Sequence, residues 1–94
     1  MDRVILKGHI IVPDDKLSTV QVALKTHIGL TREERGCIVF EVTQDSEDKN
    51  KFHVYEEFVD RESFAAHQER VNNSSWGEKS KGLVRSYEIV GMEE

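Results

Sequence analysis

The chain has 94 residues, of which 37% are apolar and 33% charged, and its formal net charge is -5. That length fits one domain, and the acidic, well-mixed charge leaves no basic block for nucleic acid or an anionic membrane. The single cysteine, Cys37, excludes an internal disulfide and points to a reducing compartment, the cytoplasm. No apolar run approaches the length of a membrane span.

The N-terminus, MDRVILKGHIIVP, has charges inside its apolar run and no small-residue cleavage site, so it reads as a first strand rather than a signal peptide. Over residues 3–12, Val4, Leu6, Gly8, Ile10 and Val12 share one face, and Pro13 ends the strand because it cannot donate to a ladder. Asp14 or Asp15 offers an N-cap. Leu17, Val20, Leu24 and Ile28 then recur at helical spacing, with Gly29 as the expected terminator. Thr31 to Glu34 has the form of a capping box, which predicts one more short helical turn closed by Gly36.

CIVFEVT, residues 37–43, is a second strand that alternates Ile38, Phe40 and Val42 against Cys37, Val39 and Glu41. QDSEDKNK, residues 44–51, is a hairpin loop, and residues 52–59 form the third strand. Asp60 caps a second helix whose inward positions are Phe64, His67 or Gln68, and Val71. Residues 71–82 are broken by Asn, Ser and Gly and predict a loop or frayed helical segment around Trp76. LVRSYEIVG, residues 83–91, is a fourth strand, followed by a short tail, MEE.

The order β-α-β-β-α-β predicts an α+β, ferredoxin-like domain: a four-stranded antiparallel sheet with helices on one face. The opposite face would mix Ile5, Ile11, Cys37, Val39 and Tyr55 with Lys7, His9, Glu41, His53 and Glu57. That is too apolar for comfortable solvation and predicts a homodimer.

Glu56 is the strongest single chemical signal. It alternates with Phe52, Val54 and Phe58 on the helix-covered face, where desolvation raises a carboxyl pKa toward neutrality and suits it to proton transfer. A carboxylate paired near the strand end is the competing reading. His67 faces the same space from the second helix, as an acid–base partner or a core histidine bonded to one carbonyl. His27 sits at the edge of the first helix's apolar stripe, pointing inward or solvated near the helix C-terminus. Trp76 walls an aromatic pocket or plugs the open end of the sandwich. Tyr55 faces away from Glu56, toward the expected dimer interface. The histidines and Cys37 lack close metal-ligand spacing, and no phosphate-binding loop or nucleophile elbow is present.

TREERGCIVFEV, residues 31–42, resembles the R-x-E-x-G-C-x-x-Y/F-E-V segment of the antibiotic biosynthesis monooxygenase domain family. FHVYEEFVDRESFAAH, residues 52–67, resembles that family's next segment, F-x-x-Y-E-x-W/F-x-D-x-x-A/S-F-x-x-H. The resemblance implies a dimeric α/β barrel of ferredoxin-like subunits with a pocket between sheet and helices. It implies oxidation of a small aromatic or quinol-type substrate by dioxygen without metal, haem or flavin. Glu56 and His67 match the family's acid–base positions, and Asn72 and Trp76 fall near its pocket-lining groups, with Phe40 and Phe64 as apolar walls. THIGLTREERG, residues 26–36, also resembles a branch that isomerises a phosphorylated autoinducer-2 derivative. That adds His27 to the catalytic candidates, with Lys25, Arg32 or Arg35 as the phosphate anchor. A non-catalytic small-molecule-binding dimer is the reading from a different class.

Overall fold

The computed structural model describes residues 3–91, so the predicted tail at residues 92–94 lies outside it. Its elements are β1 (Val4–Ile11), α1 (Leu17–Arg32), β2 (Cys37–Gln44), β3 (Lys51–Phe58), α2 (Arg61–Asn72), α3 (Ser75–Lys79) and β4 (Val84–Val90). The strands form one antiparallel sheet in the order β2-β3-β1-β4, with the helices on one face, as the ferredoxin-like reading expects. Residues 71–82 hold the short helix α3, capped by Ser74, whose hydroxyl accepts from the Gly77 N–H at 3.1 Å.

The buried apolar side chains fall into two clusters. Ile10, Val12, Val20, Leu24, Phe52 and Leu83 form one, with Trp76 against it. Val4, Leu6, Val54, Phe58 and Phe64 form the other. These are the alternate positions of β1 and β3 and the helical-period positions of α1 and α2, so pattern and packing agree.

Three local expectations are corrected. First, α1 runs through Gly29 to Arg32. A Cβ at Gly29 would meet nothing, so this glycine is on an open face. It costs the helix only about 1 kcal/mol relative to alanine, which the contacts of the last turn outweigh. Thr31 is wholly buried and donates to the His27 carbonyl at 2.7 Å, so it continues the helix and caps nothing.

Second, neither Asp14 nor Asp15 caps α1. They lie in a 3₁₀ turn without a side-chain cap, and Asp14 instead accepts from Asn50 Nδ2 at 2.9 Å. Third, a bulge between Cys37 and Val39 shifts the register of β2. Cys37 pairs opposite Phe58 and packs on the second cluster, while Ile38 is turned out and 42% exposed. One extra residue reverses the facing of everything on one side of it.

Candidate active site

Glu56 comes from the middle of the sheet. It pairs with Leu6 on one side and Phe40 on the other, so its carboxylate stands on the helix-covered face and is 7% exposed. α2 brings His67 down onto it. The Asp60 carboxylate accepts from the Ser63 N–H at 2.8 Å and sets where that helix starts. Phe64 and His67 then follow one another on the inward face, 3% exposed each, while Gln68 is half-buried. His67 Nε2 lies 3.8 Å from Glu56 Oε1.

His67 is held from its other side by Glu34, in the turn after α1. The Glu34 oxygens lie 3.0 and 3.2 Å from Nδ1. A carboxylate there takes the Nδ1 hydrogen and leaves the Nε2 lone pair directed toward Glu56. Glu34 is fixed in turn by an ion pair with Arg70 Nε, and Arg70 also donates to Thr31 Oγ1 at 2.8 Å. Gly36 lets this turn close on α2, since a Cβ there would come within 2.1 Å of Ser63 Oγ.

The electrostatics follow from burial. Desolvation, reinforced by the nearby Glu34 charge, pushes the Glu56 carboxyl up to about 7. Its Oε1 is buried with no hydrogen-bond partner. Burial also holds the His67 imidazolium below its ordinary range, although the hydrogen bond that Nδ1 donates to Glu34 works against that. Near neutral pH the pair therefore combines a neutral imidazole with a carboxyl group poised between its two protonation states. Such a pair can accept a proton and return it.

His27 is buried rather than solvated, at 4% exposure, because α1 does not end beside it. Desolvation, with the charges of His67 and Arg70, lowers its pKa to about 3, so it is neutral. Its Nδ1 has no partner. The ring stacks on Trp76 at 5.2 Å and meets His67 at 5.8 Å and the edge of Phe40 at 5.3 Å. Outside this stack, α1 and α3 enclose a cleft of about 500 Å³ that His27 and Trp76 both line. Trp76 is placed by Gly77, where a Cβ would come within 2.0 Å of the Val71 carbonyl.

Of the other candidates, Phe40 lies 5.8 Å from His67. Phe64 packs on Phe58 at 5.6 Å in the second cluster. Asn72 is exposed and lines a separate depression. Lys25, Arg32 and Arg35 do not line the cleft, whereas Arg70 and Lys79 do. Tyr55 faces the opposite side of the sheet and donates to Glu57 at 2.6 Å. Glu34, Arg70 and Thr31 were missed as site residues. Glu34 stood inside the quoted R-x-E-x-G-C segment, and Arg70 is one turn beyond His67, which were the available signals. Among the described residues no three His, Cys, Asp or Glu side chains are grouped so as to hold a metal ion.

Comparison with known proteins places the fold. The antibiotic biosynthesis monooxygenase family matches residues 3–72. A provisionally assigned antibiotic biosynthesis monooxygenase from Nitrosomonas europaea superimposes with a TM-score of 0.83 at 22% identity, covering 96% of this chain and 89% of that one. A conserved protein from Methanosarcina mazei Go1 gives 0.77 at 23% identity over 99% and 95% of the two chains. A conserved Bacteroides thetaiotaomicron protein described as a possible oxidoreductase gives 0.76 at 18% over 94% and 95%. At these identities the likeness is one of fold. A search of curated proteins found no match.

Proposed function

The chain belongs to the antibiotic biosynthesis monooxygenase family, and from that premise we propose that it is a cofactor-independent monooxygenase acting on a small aromatic or quinol-type substrate. The observation that carries this reading is the buried, unpartnered Glu56 Oε1 beside His67 Nε2, with the carboxyl pKa raised to about 7. Ionised Glu56 takes a proton from the phenol or its acidic tautomer. The electron-rich anion passes one electron to dioxygen, and the resulting radical and superoxide recombine at the ring carbon. For a ring methylene the balance is closed: the CH₂ becomes C=O, one oxygen atom is kept and the other leaves as water. His67 carries protons to and from Glu56, and the apolar walls exclude water from the anion and the reduced oxygen.

Glu56 and His67 are nearly inaccessible in the closed arrangement described above. On this reading the substrate reaches them when the His27–Trp76 stack parts. Oxygen uptake with a panel of anthrones and hydroquinones tests the proposal. Turnover that falls away in Glu56→Gln supports it, and no uptake from any member of the panel overturns it.

His27 favours a second reading. A neutral, buried imidazole 5.8 Å from His67 could serve as a second proton carrier for isomerising a small, phosphorylated carbonyl compound such as an autoinducer-2 derivative. Turnover under strict anaerobiosis, lost in His27→Ala, would select it. A small-molecule binder without chemistry would show ligand affinity and neither activity.

The reading includes a homodimer in the reducing cytoplasm. All of β4 is exposed, including Val84, Tyr87, Ile89 and Val90. Tyr87 and Ile89 pair with Gly8 and Leu6 and so share the helix-side face, yet the helices leave them open. Covering that strand and the mixed outer face is what a second copy would do. A monomeric mass by light scattering at micromolar concentration would rule the dimer out.

A further inference from the structure

The cleft between α1 and α3 departs from the acidic balance of the chain as a whole. The protein has 18 acidic and 13 basic side chains, yet the residues lining the cleft include Arg70 and Lys79 and no carboxylate. Among the described residues Arg70 is already paired, with Glu34, whereas Lys79 has no ion-pair partner. The apolar part of the wall includes Val22 and Leu30, which are 71% and 48% exposed. Large apolar side chains left this open along one concavity mark a surface that gains from being covered. Trp76 adds an aromatic ring, and His27 adds a polar group that is 4% exposed with an unpartnered Nδ1.

From these features we infer that the α1–α3 cleft binds a small aromatic anion, its ring against Trp76, Val22 and Leu30 and its charged group met by Lys79 with Arg70 behind it. An uncharged aromatic would use the apolar wall and leave the cationic rim unanswered. A bare inorganic anion would leave the apolar wall wet. A carboxylate on a ring satisfies both, and its charge-assisted bonds would form in a partly enclosed site where they count for more than in open water. The cleft shares His27 with the buried carboxylate–imidazole pair. The inference therefore extends the proposed oxygenase reading by naming the charge of its substrate, but binding here does not depend on turnover.

Trp76 is the only tryptophan and lines the cleft, so the indole emission of the full chain responds to its occupancy. The probes are 4-ethylbenzoate and its neutral isostere, 4-ethylbenzamide. A saturable change in Trp76 emission with the benzoate is expected. The amide should bind about tenfold more weakly, the scale of one charge-assisted hydrogen bond. Lys79→Gln should bring the benzoate down to the level of the amide and leave the amide unchanged. Val22→Asp, at an exposed position that folding does not depend on, should abolish benzoate binding by placing a carboxylate in the wall. Binding is read by emission without turnover or dioxygen uptake, which separates this test from that of the oxygenase chemistry. No saturable change, equal affinity for the two probes, or a benzoate affinity indifferent to Lys79→Gln would overturn the inference.

Discussion

The two apolar clusters and the polar group that joins them occupy the same layer and obey opposite rules. In the clusters every side chain is apolar and close-packed, and each contributes by being removed from water. Between them, His27 stacks on Trp76 of one side and His67 lies 4.8 Å from Phe58 of the other. This group includes Glu56, Thr31, His27 and His67, all under 9% exposed, with two polar atoms lacking partners. Small domains usually build one contiguous core. A chain this short with a limited apolar share would be more stable with leucines in place of Glu56 and His67. The difference teaches that this part of the layer holds buried polar groups that packing alone does not account for, which is where the proposed proton chemistry would lie.

Substitution on the two sides should therefore fail in different ways. The largest effect should be on turnover. Glu56→Gln should lower oxygen consumption by about 10²–10⁴-fold, the usual contribution of a positioned general base, while the protein stays folded. Its stability should separate from that of the native chain with pH. The folded pKa is raised from 4.5 to about 7, so the native chain loses stability as pH climbs through that window and is level above it. Urea denaturation at several pH values should show the variant gaining up to about 3 kcal/mol relative to the native chain by pH 8.

Phe58→Ala probes the packed side. Phe58 is wholly buried, and the substitution should cost about 3–5 kcal/mol by urea denaturation at any pH from 5 to 8. A pH-dependent loss there would erase the distinction between the two regions.

His27 should act on stability in the opposite sense to Glu56. Its pKa falls from 6.5 to about 3 on folding, so the unfolded chain takes up the proton first. Its contribution, fully present above pH 6.5, falls by up to about 1.4 kcal/mol per pH unit below it and offsets the Glu56 contribution down to about pH 4.5. His27→Phe should therefore gain stability relative to the native chain as pH falls from 6.5 to about 4 in thermal melts.

Glu34→Gln sharpens the comparison further. Removing its charge takes away one cause of the raised Glu56 pKa and the group that fixes the His67 tautomer. The acid limb of the pH–rate profile should move to lower pH and kcat should fall by about tenfold or more, on the scale of support lost behind an acid–base residue. The smallest effect is expected on the opposite face of the sheet. There Tyr55→Phe removes a hydrogen bond to Glu57 and should lower stability slightly in urea denaturation and leave turnover unchanged.

Much of this was legible beforehand because alternation and helical period are local properties. Glu56 between Val54 and Phe58, and His67 one turn after Phe64, follow from backbone geometry alone, which places side chains on faces without reference to the rest of the chain. Asp60 is readable as a cap for the same reason. The bulge at Ile38 was not, because a register shift depends on what the neighbouring strand offers. Gly29 reads as a stop until the buried Thr31 and its Arg70 partner are seen to carry the helix past it. Glu34 looks like a capping residue of its own segment, and only the approach of α2 makes it the anchor of His67.

By itself, then, the order of residues determined the β-α-β-β-α-β layout, the layer between sheet and helices and the two polar groups, Glu56 and His67, that face into it. Only the tertiary structure decided that His27 joins them, that Glu34 and Arg70 set the imidazole's orientation, and that the open cleft lies outside the His27–Trp76 stack. The physical reason is range. Facing is set within a few residues, whereas hydrogen-bond partners, desolvation and cavities arise from segments that are distant in the chain and meet only on folding.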